Sequence, residues 1–554
     1  MALHSHNIAP VIEPNTQYCF ARVASPNDAL SDLPNTSHRS PITSFATPPR
    51  FVHWWFITLG LLLPLSTAVA QPQQAAPAKA PASTLVCRDF LPQEPLNRAR
   101  RPTPLVAVVE NTGSADVTFK PKLFCPAGVR ELRPRAGRET TVKPGARVIW
   151  SCEIQADRAM QGDLVLELWS GDKIAAKATL PMSFLPLAKI KKAAYIPPPQ
   201  PVKTTILVGA HNCPLWEAAA PQMWEQVVQH PERTPALGFY DQANPQVADW
   251  ETKWAVEHGV NFFVYCWYRV GRTDAVETKY SSAIEALLKS RFANQFKFTI
   301  MWENQQRGPA WGSSGVSSER ELLETLAPFW ITNYFLQPSY LKVDNKPLLF
   351  VYDAHRLAAD LGGATNVPRA FEQFRAACRR AGFAGLHILA EYRGLDPNEL
   401  KFRKDMGFDY TFAYVWPIAD PQQAIPMQLE FIRKTRDLKI LPEVVTVSQG
   451  WTGWRNEGPL YRIPPGDYEN LLRQAKDILT TMPQQELGGK LLLLDNWNEW
   501  SEGHYVAPHR QYGFGYLDAV RKVFSDAPDE HVDIIPEDIG FGPYDSAYKA
   551  RPKK

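Results

Sequence analysis

The chain has 554 residues, 45% of them hydrophobic and 21% charged, too long for one ordinary domain and balanced like a globular protein. Its formal net charge is +3, with no long basic block, which points away from nucleic acid and from any partner held mainly by charge.

Residues 51–70 read FVHWWFITLGLLLPLSTAVA, an apolar run behind Arg50 that ends on Ala68-Val69-Ala70 before Gln71. This is the layout of a secretory signal with a small-residue cleavage site. The polar stretch 1–50 ahead of it is longer than an ordinary leader. Either the start lies downstream of Met1, or the run is an uncleaved anchor, since twenty apolar residues just span a bilayer. Residues 1–70 are therefore expected to target the chain for export, to the periplasm, the medium or a membrane-anchored position. Membrane contact is expected only through this segment.

Residues 71–84, QPQQAAPAKAPAST, have linker composition. Strand-like runs follow, LVAVVEN, VTFKPKLF, RVIWSCEI and DLVLELWS, separated by turn signals such as NTGSAD and KPGA. They predict a small β-sandwich over 85–187. Export permits a disulfide among Cys87, Cys125 and Cys152, with the pairing left open and free buried thiols as the alternative. Residues 188–203, with YIPPPQPVK, form a second, stiffer linker.

From residue 204 the pattern alternates. Apolar runs of strand length recur: TILVGA, NFFVYCWY, KFTIMWE, PLLFVYD, LHILAEY, YTFAYVW, EVVTVSQGW and KLLLLDNW. Segments with helical apolar spacing, such as PRAFEQFRAACRRAG and DYENLLRQAKDILTTM, lie between them. Continuous apolar strands imply burial on both faces, as in a parallel sheet. Eight such units predict an α/β chain with a (β/α)8 TIM barrel over 204–530, preceded by the sandwich and followed by a tail, 531–554. A doubly wound open sheet is the alternative, but LVGAHNCPLW lacks the G-x-G-x-x-G phosphate fingerprint.

A barrel of this kind carries its chemistry at the C-terminal strand ends. Each end here combines aromatic with polar or acidic residues: Trp267 and Tyr268; Trp302, Glu303 and Asn304; Glu391 and Tyr392; Trp416; Trp451 and Trp454. The last is the stretch DNWNEWSEGHYVAP, with Trp497, Asn498, Glu499, Trp500, Glu502, His504 and Tyr505. Aromatic faces stack on sugar CH surfaces, and carboxylates and amides bind hydroxyls. These residues are expected to line a glycan cleft, with Trp267, Trp302, Tyr392 and Trp451 as stacking platforms. Glycosidic cleavage commonly needs two carboxyl groups. Glu499 and Glu502 are the candidate pair, within a few ångströms of Glu303 or Tyr392. No cofactor is expected. His211, His355 and His504 stand at different strand ends without H-x-H or HExxH spacing, so no metal is assigned. Cys213 and Cys266 read as inert buried thiols.

The closing motif NWNEWSEGHYVAP resembles the WNEW-x-EG signature of glycoside hydrolase family 99 and its bacterial WbsX-like relatives. ALGFYDQANPQVADWETKWAVEHGVNFFVYCWY, MWEN, YLKVDNKPLLFVYD and GYLDAVRKVF agree in order, so the resemblance covers about residues 204–525. It implies a barrel enzyme acting on glycans, endo-acting and retaining. It further implies Glu499 as the base that assists the sugar 2-hydroxyl, and Glu502 as general acid/base. Two departures bear on substrate choice. The first strand end reads GAHNCPLW where the hydrolases have a YYYPW-type segment, and the motif continues EGHYVAP where they have EGTQIEP. A non-hydrolytic glycan-binding barrel and a glycan-assembly transferase are the alternative functions.

Overall fold

The computed structural model describes residues 84–132, 139–189, 191–270, 275–305, 314–453 and 460–545. The expected leader, nearly all of the first linker, and Trp454 lie outside these residues. Among the described residues no helix is long and apolar enough to cross a membrane.

The N-terminal part folds as two sheets, antiparallel except for one two-residue edge strand. One orders strands Leu85–Pro92, Thr103–Asn111, Arg147–Ala156 and Val129–Glu131. The other contains Lys173–Leu185, Met160–Ser170, Val117–Phe124 and Thr140–Val142, with Asn97–Arg98 at its edge. Burial along Thr103–Asn111 alternates residue by residue, the period of a strand with one face on a core. Leu105, Ala107 and Val109 from one sheet meet Leu164, Leu166 and Leu168 from the other, and this core is separate from that of the barrel.

The cysteines permitted to pair here are all free. Cys87 sits opposite Val109, and Cys152 opposite Leu105, on the far side of the same central strand. Two strand spacings, about 9–10 Å, exceed the roughly 7 Å Cα separation a disulfide tolerates. Cys125 follows a strand of the other sheet.

The rest is a (β/α)8 barrel. Its strands are Leu207–Asn212, Phe262–Arg269, Lys297–Trp302, Lys346–Val351, His387–Glu391, Tyr410–Phe412, Val445–Ser448 and Leu491–Asp495. Every neighbouring pair is parallel, and the first strand pairs with both the second and the eighth. The ring closes between the sixth and seventh through a parallel bridge, Thr411 with Glu443. Helices follow the strands. In Val367–Arg380 the buried residues Val367, Ala370, Phe371, Phe374 and Cys378 form one stripe at helical spacing. Asp353 and Asp396 cap the helices that begin the turns after strands four and five, accepting from the backbone N–H of Arg356 and Asn398.

The proline-rich segment after the sandwich runs along the barrel wall: Ile196 is buried, and the Tyr195 hydroxyl donates to Asp249 at 2.6 Å. The segment beyond the last helix is also packed. Ile535 and Ile539 are buried in the barrel core, and the Asp538 carboxylate forms a fully buried ion pair with Arg98 of the sandwich.

Candidate active site

The chain leaves the eighth strand through a cis peptide, Asp495–Asn496. Asn498–Glu499 then pairs antiparallel with His504–Tyr505, and residues 500–502 form the turn between them. Gly503 closes this turn at φ +73°, and a Cβ there would meet the Thr452 side chain at 2.5 Å. The tight hairpin is why two glutamates three apart in sequence face one site instead of opposite walls.

Glu499 is only 5% exposed. The Tyr414 hydroxyl donates to its Oε2 at 2.7 Å, and Asn496 Nδ2 donates to that hydroxyl at 2.8 Å. The Cys213 thiol also bonds the Glu499 carboxylate. Burial pushes the Glu499 carboxyl above its usual range, and the neighbouring Glu502 charge adds to the effect. Glu502 keeps part of its side chain in solvent. Trp451 Nε1 donates to its Oε2 at 3.3 Å, and His504 Nε2 lies 3.6 Å from the same oxygen.

His504 is held from behind. Its Nδ1 lies 3.0 Å from Asp495 Oδ1, and Ser448 Oγ donates to Asp495 Oδ2 at 2.6 Å. Burial opposes charging the ring, but the adjacent Asp495 carboxylate outweighs it and holds the imidazole up to about 10. His211 on the first strand is the contrast. It is enclosed by Phe350, Phe412 and Tyr414 and stays neutral, pushed down to about 3 by burial. The barrel thus sets an imidazolium beside the carboxylates above a neutral, aromatic floor.

A second polar group lies across the mouth. Arg393 Nε pairs with Glu391 at 3.0 Å, and its Nη2 donates to the Tyr352 hydroxyl at 3.3 Å. Burial raises the Glu391 carboxyl. Glu303 is buried close enough for its charge to act on Tyr352. Tyr352 packs edge-on to Tyr414, which links this group to Glu499.

Of the expected platforms, Trp451 alone bonds one of the paired glutamates. Trp267 and Trp302 are corrected. Both pack outward on Trp330, with Trp267 Nε1 bonded to the Tyr334 hydroxyl and Trp302 Nε1 to the Ser314 carbonyl. Successive strand residues point to opposite faces, so Cys266, 3.6 Å from the Tyr414 hydroxyl, takes the inward place and Trp267 the outward one. Tyr268 returns inward and packs edge-on to Tyr280. Tyr392 turns away, its hydroxyl tied to Asp396 and its ring under Arg403. Trp416 stacks on Phe431 of the next helix, and Trp497 bonds Glu251 of an outer helix. Trp500 bonds the Tyr240 hydroxyl and packs on Tyr505, so both rings brace the hairpin from outside. Asn304 and Asn498 are joints. Asn304 exchanges two bonds with the Asp353 backbone, and Asn498 accepts from Cys213 N and donates to Asn212. His355 pairs with Glu399 on the surface, away from His211 and His504.

Trp267→Ala is therefore expected to cost about 3–5 kcal/mol of stability, as a large core truncation does. Glycan affinity of the folded fraction should stay unchanged. Trp451→Ala should do the reverse, weakening binding with a smaller loss of stability. Thermal melts beside titrations with a bound oligosaccharide separate the two, and a Trp267 variant that melts normally but binds poorly would return that ring to the cleft.

Tyr414, Asp495, Cys213 and Arg393 are the residues that strand-end composition alone did not rank. Tyr414, Asp495 and Arg393 stand one or two positions from residues it did select, whereas Cys213 reads as an inert thiol in the sequence.

Two related sequences are matched in strains of Xanthomonas campestris pv. campestris, both called Uncharacterized protein WxcX. One is 24% identical over 433 residues, covering 73% of this chain and 56% of the relative. The other, from strain B100, is 25% identical over 335 residues, covering 55% and 45%. The chain thus spans about half the length of the curated relatives it matches. Among solved structures, the GH99 endo-alpha-mannosidase from Bacteroides thetaiotaomicron in complex with bis-tris-propane aligns at 15% identity and a TM-score of 0.41, covering 58% of this chain and 96% of that one. A second structure of that enzyme aligns at 16% and 0.37, covering 52% and 81%. The family model described as Glycosyltransferase WbsX matches residues 218–449 and 455–520, more than half of the chain and nearly all of the barrel. The chain is a member of this WbsX family, whose sequence signature is shared with the family-99-like glycoside hydrolases.

Proposed function

We propose that this protein is a glycan-cleaving enzyme of glycosidase type, endo-acting and retaining, with Glu499 and Glu502 as its reacting carboxylates. The observation that carries the reading is their convergence on one hairpin in unlike surroundings. Glu499 is buried, accepts from a phenol and a thiol, and has a raised proton affinity. Those are the properties of a base. Glu502 keeps contact with solvent and is oriented by an indole N–H. A group that alternately gives a proton to a leaving oxygen and takes one from water needs that access.

In this mechanism Glu499 removes the proton of the sugar 2-hydroxyl. The freed oxygen attacks C1 as the C1–O bond to the leaving sugar breaks, and Glu502 protonates that leaving oxygen. Water then attacks C1 from the face the leaving group vacated. Glu502 takes the proton of the water, the C1–O2 bond breaks, and Glu499 returns its proton to O2. Two inversions at C1 give net retention. His504, held positive by Asp495, offsets the negative charge of the pair. Glu303, Glu391 and Arg393 offer hydrogen-bonding groups for sugar hydroxyls, and Trp451 an aromatic face. The N-terminal apolar run supports an exported location, and the sandwich is read as an accessory or spacer module.

A panel of polysaccharides and glycoconjugates incubated with the purified full chain tests this reading. NMR of the first-formed product should show the anomeric configuration of the substrate, and release of the inverted anomer would overturn it. The description of the family as glycosyltransferase favours a second reading, in which an acceptor sugar hydroxyl replaces water. That reading gains if the same panel yields elongated glycans in preference to reducing ends.

A further inference from the structure

The structure points to a second site, on the outside of the barrel. We propose that His258, Asp518, His531 and Asp533 bind one zinc ion that staples the C-terminal segment to the barrel. The four come from three separate places: the residue that ends the helix Pro245–Glu257, the helix Gly515–Phe524, and the segment after it. One donor atom from each lies within 4.8 Å of every other.

The distances fit a tetrahedral ion. Metal–ligand bonds of about 2.0–2.1 Å require ligand–ligand edges of about 3.3–3.4 Å. The two Nε2 atoms are 3.2 Å apart. His258 Nε2 lies 3.5 Å from Asp518 Oδ1 and 3.2 Å from Asp533 Oδ1. His531 Nε2 lies 3.1 Å from Asp518 Oδ1 and 3.5 Å from Asp533 Oδ2. All five lie near the required edge, and the Asp533 carboxylate, which here turns a different oxygen to each ring, would give one of them to the ion.

The hydrogens are also in the right places. His258 Nδ1 is 2.7 Å from the Trp254 carbonyl, and His531 Nδ1 is 2.8 Å from the Asp529 carbonyl. A carbonyl only accepts, so each Nδ1 carries a hydrogen and each Nε2 faces the two carboxylates, where a bound ion would take the place of its proton. This is the backbone arrangement that orients histidines as metal ligands. The His258 ring is fully buried and stacks on Phe514, so its aim is fixed. Two carboxylates and one divalent ion sum to zero charge, which suits a mostly buried place. Paired imidazoles select a transition ion over magnesium or calcium. Four protein ligands leave no open position, so the site is structural.

The ion would hold the chain just before Ile535, Ile539 and the Arg98–Asp538 pair, the contacts that fasten this segment to barrel and sandwich. No H-x-H or CxxC spacing announces such a site, because its ligands are spread over three segments.

Full-chain protein stripped with a chelator and then titrated with zinc chloride tests the proposal. About one equivalent should bind, and X-ray absorption at the zinc edge should show a shell of nitrogen and oxygen at about 2.0 Å without sulfur. Chelation should lower the melting temperature and open the 526–545 segment to protease, and zinc should reverse both. His531→Ala, at a part-exposed ligand chosen because the buried His258 is needed for folding, should weaken zinc binding at least about a hundredfold. The variant should also melt independently of chelator. Asp533→Asn gives a second variant of conserved shape, expected to weaken zinc binding likewise. A stripped chain that takes up no zinc, a sulfur shell, or full binding in both variants would each overturn the site.

Discussion

Glu502→Gln is expected to lower turnover on a natural glycan by at least about two orders of magnitude, the lower end of what a positioned acid–base group contributes. The amide keeps the size of the side chain, and its carbonyl can still accept from Trp451 Nε1. The proton chemistry goes, together with the charge that raises Glu499. An aryl glycoside with an acidic leaving group needs no proton, so on that substrate the loss should shrink. Glu499→Gln should behave differently. Its carbonyl can still accept from the Tyr414 hydroxyl, so the hairpin should stand. The step it serves is required whatever leaves, so both substrates should suffer alike. Turnover of the two variants on the two substrates therefore gives four rates with a defined pattern. If both amide variants work at full rate, the pair is not the reacting one. If Glu499→Gln alone is rescued by the good leaving group, the two roles are exchanged.

The barrel was legible because parallel strands covered on both faces are written as unbroken apolar runs, and eight of them recur. The same feature hid the orientation of their ends. In NFFVYCWY no charged residue occurs and nothing strongly polar follows Asn261, so the alternation that marks inside from outside is absent. Trp267 attracted the assignment, and Cys266 holds the inward place. Trp302 and Trp416 fail for the same reason: a tryptophan fills the gap between strand and helix as readily as it stacks on a sugar. The meeting of the two glutamates on one hairpin was legible for the opposite reason. Two charges among aromatic rings at a strand end have no place in a core, and Gly503 marks the turn that brings them together. What surrounds them was not legible. Tyr414 lies just past the sixth strand, and Ser448 and Asp495 end the seventh and eighth; their link to the hairpin is a matter of register around the barrel, which no local pattern encodes. The sandwich shows the same limit. Its strands announce themselves by alternation, but whether two cysteines meet depends on which strand lies between them.

Asp495→Asn should cost about 3–5 kcal/mol of stability near neutral pH, the usual loss when one partner of a buried ion pair is removed. Both side chains of the Asp495–His504 pair are fully buried. The pH dependence gives the sharper test. Folding raises His504 to about 10, chiefly through Asp495 working against burial, while an unfolded histidine titrates near about 6.5. The folded chain therefore holds a proton that the unfolded chain releases between those values. The stabilisation is complete below about pH 6.5 and is lost as pH rises through about 10. The difference in stability between wild type and Asp495→Asn should follow that course, large at pH 6 and shrinking toward pH 10. Taking the difference cancels the titrating groups that neither Asp495 nor His504 acts on. Activity should report the same change independently. The His504 charge lowers the Glu499 carboxyl against burial and Glu502. Without it Glu499 holds its proton to higher pH, so the acidic limb of the activity profile should move upward in the variant. Denaturant unfolding across pH 6–10, run beside the rate profile, checks both. A stability difference that does not vary with pH would show that His504 is neutral in the folded chain, and the imidazolium beside the paired glutamates would have to be abandoned.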